Sequence, residues 1–480
     1  MKNILLVNPP LPRSFWSFSD IMRVTGKKAL LPSLGLLTVA GLLPPEWNVR
    51  LADENARPVS DADMAWADVV MISAMLVQRD GLFHCARRAK SLGRIVAAGG
   101  PYVTSAPQEA LDAGCDFAVA GEGEATIPLL ARAIEEGRSG GVITVRERTN
   151  MANVPLPRYD LADPRDYDAM PLQTSRGCPF ACEFCDVINL FGRTPRFKSC
   201  AQVTAELTAI LETGHRGAVF FTDDNFIGNP ARARELLRAV ADWNTARGEP
   251  FWFITQASVN LGGSPELIDL MTAANFGFVF VGIESPDTDV LAATRKYQNI
   301  KNPLLESIRA IGAGGLTVVG SFILGFDNET AGAGKRITAF AEAAHIPLVM
   351  VNTLQAVPET ALWKRLRDEG RLVDGDIGDM ATGTMNFTPT RPLREIVTEQ
   401  LEAWDHLYDV SRHMERVMGN ILAMRPERAD PASGRRPRVR ENKPPGAALA
   451  DTARELRLLF RLLWRLGVVS RHRVQFWRQL

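Results

Sequence analysis

The sequence predicts an α/β protein in which two series of βα units are followed by a mainly helical region. Short β-rich runs alternate with helical stretches from residue 1 to about 145, and a second alternating series begins at residue 172. Strand signals fade beyond about residue 360. Alternation of this kind is typical of parallel sheets covered by helices. At 480 residues the chain is longer than one hydrophobic core usually serves, so we expect several domains.

The first series, residues 1–145, predicts a doubly wound parallel sheet with strands at 4–7, 49–52, 69–73, 94–98 and 117–120. Helices are expected at 33–43, 81–92, 107–113 and 125–136. In open sheets of this kind ligands bind beyond the carboxyl ends of the strands, where glycine allows close backbone approach. The candidate ligand-binding residues at that edge are Ser73, Gly99, Gly100, Pro101, Gly121, Glu122 and Gly123.

Residues 146–171 are rich in proline and predict a linker. The second series, residues 172–360, has strand-like runs at 172–175, 218–222, 251–255, 276–282, 317–324 and 348–353. Six βα units predict a partial (β/α)6 barrel, whose working groups are expected at the carboxyl ends of its strands.

Residues 361–480 predict a helical carboxyl-terminal domain, with helices at 361–369 and 394–424 and a mobile basic connection at 435–445. From 452 to 480 arginines recur at three- and four-residue steps among apolar residues, at Arg454, Arg457, Arg461 and Arg465. This spacing predicts an amphipathic basic helix. Two interpretations stay open: the helix packs on the barrel through Leu459, Leu463 and Trp464, or it contacts an anionic membrane surface.

The composition is that of an ordinary globular protein. Apolar residues make up 46% and charged residues 23%, and 55 Lys and Arg balance 55 Asp and Glu. This excludes chain-wide disorder and a wholly basic nucleic-acid binder. The longest apolar stretches are shorter than the about 20 residues of a membrane-spanning helix, and the amino terminus lacks the pattern of a secretory signal. We therefore predict no transmembrane span, no nucleic-acid partner and a cytoplasmic location.

Six cysteines are too few for a disulfide scaffold in a chain of this length. Three of them, Cys178, Cys182 and Cys185, lie in one loop after the first strand of the second series. Thiolates hold iron-sulfur clusters, and three ligands leave one iron of a cubane open to a substrate or cofactor. Structural zinc is the competing interpretation, although it would have to recruit His215 or Cys200 from a distance.

The spacing Cys178-x3-Cys182-x2-Cys185, with Phe184 before the last cysteine, resembles the signature of the radical S-adenosylmethionine superfamily. The resemblance implies a 4Fe-4S cluster on these cysteines, S-adenosylmethionine on the remaining iron, and reductive cleavage to a 5'-deoxyadenosyl radical. It also implies contacts with S-adenosylmethionine at later strand ends. Those residues are Asp223 and Asp224 for the methionine amino group, Gln256, Ser258 and Glu284 for the carboxylate and ribose, and Gly325 for the adenine.

Two interpretations stay open for Arg295 and Lys296, pairing with a carboxylate or exposure to solvent, and we favour the second. No side chain is assigned a catalytic role of its own.

The amino-terminal region resembles the cobalamin-binding domain that precedes the barrel in one branch of this superfamily. Most cobalamin carriers have an Asp-x-His-x-x-Gly motif, whereas residues 73–78 occupy the comparable strand end without a histidine. The run Arg196-Phe197-Lys198, the segment 223–226 and the carboxyl-terminal extension resemble the subgroup that contains the hopanoid C-2 methylase. The cofactors implied are thus a 4Fe-4S cluster, S-adenosylmethionine and cobalamin.

The resemblance implies a methyltransferase that acts on an unactivated carbon, with a hopanoid or another lipid as candidate substrate. It implies an external one-electron donor such as flavodoxin or ferredoxin, and residues 452–480 add a predicted peripheral contact at the inner membrane surface. Two alternatives are an oxidative cyclase of a tetrapyrrole with the same cofactors and a non-catalytic cobalamin-binding regulatory protein.

Overall fold

The computed structural model describes residues 1–12, 14, 18, 22, 24–373 and 383–424, together with isolated positions between 456 and 477. The chain forms two compact units. Unit 1 contains Met1–Ser19, Lys27–Gly228 and Gln355–Thr388, and unit 2 contains Asp20–Gly26, Asn229–Leu354 and Pro389–Leu480. Among the described residues, none of the helices combines the length and apolar character that a membrane crossing requires.

The amino-terminal part of unit 1 is a parallel sheet of six strands in the order β2-β1-β3-β4-β5-β6. Its strands are β1 (Asn3–Asn8), β2 (Asn48–Asp53), β3 (Val69–Ser73), β4 (Ile95–Gly99), β5 (Phe117–Ala120) and β6 (Gly141–Thr144). The run from Ile4 to Val7 is buried on both faces of the sheet, as expected for a central parallel strand. The edge strand β6 was not predicted from the sequence, because it is short and only Ile143 in it is buried.

Helices cover both faces of this sheet, which confirms the doubly wound arrangement. They are α1 (Leu34–Leu42), α2 (Asp61–Trp66), α3 (Arg79–Ser91), α4 (Pro101–Ser105), α5 (Pro107–Asp112) and α6 (Gly123–Glu135). On one face Leu82 of α3 shares a core with Leu5 and Val70, and on the other Leu36 and Leu130 share a core with Ile4.

The Pro-rich stretch 146–171 is packed against the rest of unit 1 and differs in this respect from the predicted linker. Tyr159 is 1% exposed, and its hydroxyl donates a hydrogen bond to the carbonyl oxygen of Pro171 at 2.9 Å. Tyr167 is 3% exposed, and its hydroxyl donates to Asp53 Oδ2 at 3.1 Å. Aromatic burial explains the difference, because prolines alone do not reveal which neighbouring side chains enter a core.

The remaining elements of unit 1 are β7 (Ala169–Leu172), β8 (Ser175–Arg176), α7 (Val187–Leu190), β9 (Arg196–Phe197), α8 (Cys200–Glu212), β10 (Gly217–Phe221) and α14 (Ala361–Asp368). β7 and β10 pair in parallel, whereas β8 and β9 form a short antiparallel hairpin. The strand predicted at 172–175 therefore starts three residues earlier and ends at Leu172. Pro171 hid it, because proline lowers the strand signal of a fully buried run.

Unit 2 contains four parallel strands, β11 (Phe251–Ala257), β12 (Phe276–Glu284), β13 (Thr317–Leu324) and β14 (Leu348–Thr353), paired in that order. The six strands of the second series are thus present and parallel to their neighbours within each unit, which confirms the α/β class. The helices of unit 2 are α9 (Pro230–Ala246), α10 (Pro265–Ala273), α11 (Thr288–Ala293), α12 (Leu304–Ala313), α13 (Ala333–Ala343), α15 (Leu393–Leu407) and α16 (Val410–Ala423).

The helix predicted at 394–424 is two helices, α15 and α16. The chain breaks at Asp409, whose carboxylate accepts hydrogen bonds from the backbone N of Ser411 at 3.1 Å and of Arg412 at 3.2 Å. An aspartate in this position begins a new helix. The connection predicted at 435–445 and most of the helix predicted at 452–480 lie outside the described residues.

Candidate cofactor-binding site

The three clustered cysteines lie in the loop between β8 and β9, which we call the cysteine loop (residues 177–195). Ser175 pairs with Phe197, so the two ends of the loop lie side by side. Gly177 enters the loop with φ of 95°, and a Cβ there would lie 2.9 Å from the carbonyl oxygen of Gly192. We therefore expect only glycine to fit at this position. The backbone N of Cys178 donates to the same carbonyl at 3.3 Å and closes the loop.

Each of the six cysteines lies within the described ranges and carries a thiol rather than a disulfide. In the cysteine loop Cys182 is buried, and Cys178 and Cys185 are partly exposed. Burial raises the pKa of Cys178 and of Cys185, and the neighbouring sulfur of Cys182 raises both further. The sulfur of Cys182 therefore lies close enough to those of Cys178 and Cys185 to disfavour the thiolate form of these two residues.

This donor set fits an iron-sulfur cluster. Cysteine thiolates are the usual ligands of such clusters, and a coordinated metal ion deprotonates a thiol that burial would otherwise keep neutral. As the side chains stand, no group of three or more His, Cys, Asp or Glu in the described part of the chain is gathered to hold a metal ion. The extra ligands that zinc would need are placed elsewhere: His215 Nε2 lies 2.9 Å from the carbonyl oxygen of Ala218, and Cys200 begins α8.

Asp223 lies two residues after the end of β10 and is fully buried. Its Oδ1 accepts hydrogen bonds from the backbone N of Thr174 at 2.8 Å and of Ser175 at 2.5 Å, and its Oδ2 accepts from Thr174 Oγ1 at 2.7 Å. Burial raises the pKa of Asp223, and these hydrogen bonds counteract part of that rise. The geometry assigns Asp223 to holding the chain before the cysteine loop and does not favour the predicted contact with the methionine amino group.

Asp224 is only partly buried and lies beside the cysteine loop, because its Oδ2 accepts a hydrogen bond from the backbone N of Gly177 at 3.0 Å. Burial raises the pKa of Asp224 to about 6, and the charges of Asp223 and Asp186 add to the rise. A bound ammonium group would stabilise the charged carboxylate. Of the two neighbouring aspartates, Asp224 is therefore the better candidate for the methionine amino group.

Glycines shape the carboxyl edge of the amino-terminal sheet. Gly100 has φ of 95°, and a Cβ there would lie 2.7 Å from Ser73 Oγ. Gly121 has φ of 109°, and its backbone N donates to Thr104 Oγ1 at 3.1 Å. The strand ends thus approach one another closely through backbone, as a large ligand at this edge requires. Gly99 ends β4, Pro101 begins α4 and Gly123 begins α6.

The carboxylate of Glu122 is not available to a ligand at this edge, because two arginine side chains already pair with it. Its carboxylate pairs with Arg176 at 3.0 Å and with Arg196 at 2.7 Å, and its side chain is 3% exposed. A cofactor contact was predicted for Glu122, and its arginine partners were not predicted from the sequence. The position of Arg176, two residues before the first cysteine of the loop, was the available signal.

Buried polar residues join the carboxyl ends of β1 to β3. Gln78, 3% exposed, donates through Nε2 to Asn8 Oδ1 at 3.0 Å and accepts from the backbone N of Met75 at 3.0 Å. Asn8 in turn donates to Asp53 Oδ1 at 3.0 Å. Gln78 therefore connects the ends of β1 and β3 by hydrogen bonds, at the position where cobalamin carriers usually have their histidine motif. This role of Gln78 was not predicted from the sequence.

The predicted residues of unit 2 also lie at strand ends. Gln256 is in β11, and Ser258 follows it and donates through Oγ to Asn260 Oδ1. Glu284 ends β12 with φ of 67° and forms a buried ion pair with Lys296. For Lys296 the favoured interpretation of a solvated side chain was wrong and the alternative, pairing with a carboxylate, is confirmed, because the lysine is 8% exposed and compensates the buried carboxylate of Glu284.

Gly325 follows β13 with φ of 99°, and its backbone N donates to both carboxylate oxygens of Glu329 at 3.2 Å. This hydrogen bond orients the turn at which the adenine contact was predicted.

Family models match three parts of the chain. The model of the radical SAM superfamily matches residues 172–340, and the model of a B12 binding domain matches residues 25–131. A domain of unknown function matches residues 360–480. The first two matches cover the cysteine loop and the glycine-shaped edge described above.

Two curated relatives are similar over nearly the whole chain. An uncharacterized methyltransferase of Synechocystis sp. is 44% identical over 474 residues, which cover 98% of this chain and 86% of the relative. The hopanoid C-2 methylase of Rhodopseudomonas palustris is 35% identical over 482 residues, which cover 99% of this chain and 88% of the relative.

Among solved structures, the cobalamin-dependent S-adenosylmethionine radical enzyme OxsB, with aqua-cobalamin and S-adenosylmethionine bound, superposes with a TM-score of 0.65. The match covers 99% of this chain and 74% of that chain at 16% identity. At that identity the likeness supports the fold alone.

Proposed function

Because this chain belongs to the cobalamin-dependent radical S-adenosylmethionine methyltransferases, we propose that it methylates an unactivated carbon of a hopanoid or a related polycyclic lipid. The observation that carries this proposal is the 35% identity with a hopanoid C-2 methylase over 99% of the chain. The cofactors of the family are a 4Fe-4S cluster, S-adenosylmethionine and cobalamin.

We assign cofactor binding to residues of unit 1. In this assignment the cluster is held by Cys178, Cys182 and Cys185, because their three thiols lie in one loop. Asp224 is assigned to the amino group of S-adenosylmethionine, because this residue lies beside that loop and is only partly buried. Cobalamin is assigned to the carboxyl edge of the amino-terminal sheet, where it would contact the backbone of Ser73, Gly99, Gly100 and Gly121.

When bound, these cofactors supply hydrogen abstraction by a radical and a transferable methyl group, which a carbon without a lone pair requires. The chain itself binds and orients the cofactors. Gly177 sets the direction of the cysteine loop, and Asp223 holds the residues before it through hydrogen bonds to Thr174 and Ser175. We propose that an external one-electron donor of the flavodoxin or ferredoxin class supplies the reducing electron.

Methyl transfer is favoured over the two alternatives. Both curated relatives described above carry methyl-transfer names, which favours methylation over the oxidative closure of a tetrapyrrole ring. A non-catalytic regulatory protein would not need the thiols of the cysteine loop, yet all three are present in a loop whose geometry glycine maintains.

The substrate is tested with the anaerobically reconstituted protein, a chemical reductant, methyl-labelled S-adenosylmethionine and a hopanoid such as diploptene. We expect label in the hopanoid together with equimolar 5'-deoxyadenosine, measured by mass spectrometry. The Cys182→Ala variant is expected to lose both products, because it removes one cluster ligand. Cys200→Ala is the matched control and should retain them, since Cys200 lies outside the cysteine loop at the start of α8.

Formation of 5'-deoxyadenosine with an unlabelled hopanoid would contradict the proposed substrate and leave the cofactor assignment standing. Labelled product from Cys182→Ala would contradict the cluster assignment itself.

We also propose that the enzyme is cytoplasmic and that it contacts the inner membrane surface through residues 452–480. The arginines of the predicted basic helix lie outside the described residues, but three apolar positions at four-residue steps are described there. They are 59%, 67% and 53% exposed, at Leu456, Phe460 and Trp464. Exposed aromatic residues among arginines favour a helix that lies in a membrane interface.

Sedimentation with liposomes tests this contact. The full chain and a chain that ends at residue 451 are mixed with vesicles of phosphatidylglycerol and phosphatidylcholine. We expect about tenfold less bound protein for the shorter chain and weaker binding of the full chain at high salt. Equal iron content establishes that both proteins are intact. Equal sedimentation of the two would contradict a membrane role for residues 452–480.

A further inference from the structure

Glu122, Glu124, Arg176 and Arg196 form one buried ion-pair network in unit 1, which we call the clamp. Arg176 Nη1 donates to Glu122 Oε2 at 3.0 Å, and its Nη1 and Nη2 donate to the two oxygens of Glu124 at 2.9 and 2.7 Å. Arg196 donates through Nη1 and Nη2 to Glu122 at 2.9 and 2.7 Å. Two arginine forks thus converge on two neighbouring carboxylates.

The clamp connects two segments that are far apart in sequence. Its carboxylates follow β5, at 121–124, the edge predicted to bind cobalamin and part of the B12 binding match. Its arginines lie in β8 and β9, the strands that begin and end the cysteine loop. Glu122 therefore bonds to both ends of the cluster-binding loop at once.

The arginines also bind the backbone of the cysteine loop and its base. Arg196 Nη2 donates to the carbonyl oxygen of Phe191 at 3.1 Å. Arg176 Nε donates to Gln173 Oε1 at 2.8 Å, which fixes the plane of the guanidinium. A lysine ammonium carries the same charge but cannot reproduce these planar, forked contacts.

Burial restricts the motion of the side chains that form the clamp. The side chains of Glu122 and Glu124 are 3% and 5% exposed, and that of Arg176 is 11% exposed. Burial tends to raise the pKa of Glu124, but hydrogen bonds and the charge of Arg176 hold this pKa below its usual range. Removing one partner of such a network leaves an uncompensated buried charge, so the clamp is expected to resist local rearrangement.

We propose that the clamp fixes the cysteine loop at a set position relative to the cobalamin-binding edge, and that Glu122, Arg176 and Arg196 are positioning residues for methyl transfer. The inference deepens the proposed function and rests on it for the two bound cofactors, but not for the identity of the lipid. Methyl transfer needs the two cofactors to face one substrate carbon, so a small displacement of the loop should separate radical formation from methylation.

The test compares Arg176→Lys and Glu122→Gln with the wild-type holoenzyme, which carries cluster and cobalamin. Arg234→Lys is the matched control, because Arg234 forms an exposed ion pair with Glu266 in unit 2. Pulsed electron paramagnetic resonance measures the dipolar coupling between the reduced cluster and Co(II) in cobalamin, without lipid. Product analysis with the lipid then gives the ratio of methylated product to 5'-deoxyadenosine.

For Arg176→Lys we expect full iron content, a broader distribution of cluster-to-cobalt distances, and a product ratio lower by about 100-fold, the loss typical of a misplacement of about 1 Å. Arg234→Lys should match wild type in all three measurements. A role confined to folding predicts instead that iron content, 5'-deoxyadenosine and methylated product fall together.

An Arg176→Lys enzyme with wild-type distance distribution and wild-type product ratio would overturn the proposal, and so would the parallel loss of all three measures in both variants. If Glu122→Gln fails to fold, Arg176→Lys decides alone, because it keeps the charge of the clamp. If the wild type methylates no hopanoid, the proposed substrate fails, while the dipolar measurement still tests the clamp.

Discussion

Two buried carboxylates stand just beyond parallel strands, one in each unit, and different donors hold them. Asp223 follows β10 in unit 1 and accepts hydrogen bonds from uncharged groups, among them the backbone N and Oγ1 of Thr174. Glu329 lies after β13 in unit 2 and accepts a hydrogen bond from Arg391 Nη1 at 2.6 Å. Both are acidic residues near strand ends of the second series, where sequence reasoning expects ligands.

The difference shows that the donors around a strand-end carboxylate decide what it does. Uncharged backbone donors make Asp223 an anchor for the segment that leads into the cysteine loop. An arginine makes Glu329 part of a charged cluster that also includes Glu399, whose Oε1 accepts from Arg391. The first arrangement should respond to loss of the carboxylate. The second should respond to protons, because burial raises the pKa of Glu329 although the charge of Arg391 opposes that rise.

Of the substitutions at these two carboxylates, Asp223→Asn should change the free energy of unfolding more. An asparagine oxygen in the place of Oδ1 still accepts from the backbone N of Thr174 and of Ser175, but the amide nitrogen in the place of Oδ2 does not accept from Thr174 Oγ1. Because the loss of the acceptor of one buried donor costs about 1–3 kcal/mol, we expect the free energy of unfolding to fall by about 2 kcal/mol in urea denaturation followed by tryptophan fluorescence.

Asp224→Asn is the matched control, because Asp224 is only partly buried and its carboxylate accepts one hydrogen bond, from the backbone N of Gly177. It should change the free energy of unfolding by less than about 1 kcal/mol. If Asp223→Asn were as stable as Asp224→Asn, the distinction between anchor and ligand candidate would be lost.

The elements of the fold could be predicted where burial leaves a long periodic pattern. The central strand β1 is an unbroken apolar run, and its position was predicted within one residue at each end. The hairpin of β8 and β9 has two residues in each strand, which is too short for any periodicity. The edge strand β6 was missed because one buried residue does not make a pattern.

The site could be predicted only in part, because ligand spacing is local and pairing is not. The cysteine spacing lies within one loop and is visible in the sequence. By contrast, Glu122 lies 54 residues before Arg176 and 74 residues before Arg196. Asp223 and Asp224 are adjacent and chemically alike, and only the fold distinguishes the saturated carboxylate from the available one.

Glu329→Gln should have the smaller effect on the free energy of unfolding. This substitution tests whether that free energy depends on the protonation of Glu329 in the charged cluster. Burial raises the pKa of Glu329 to about 7 despite the hydrogen bond from Gly325 and the charge of Arg391, and Glu399 adds to the rise. The folded state therefore keeps a proton that the unfolded chain releases near its ordinary pKa of 4.5. The resulting stability is complete below that ordinary pKa and is lost as the pH rises through the folded value.

Between pH 5 and pH 6 this single group should lower the wild-type free energy of unfolding by about 1 kcal/mol, because a one-proton difference gives a slope of at most about 1.4 kcal/mol per pH unit. Glu329→Gln carries a permanently neutral side chain, so its stability should fall by that much less over the same interval, as measured by urea denaturation at each pH. Glu395→Gln, an exposed carboxylate on α15, should keep the wild-type slope. Identical slopes for wild type and Glu329→Gln would mean that Arg391 keeps Glu329 charged throughout, and that the two strand-end carboxylates differ only in the charge of their donors.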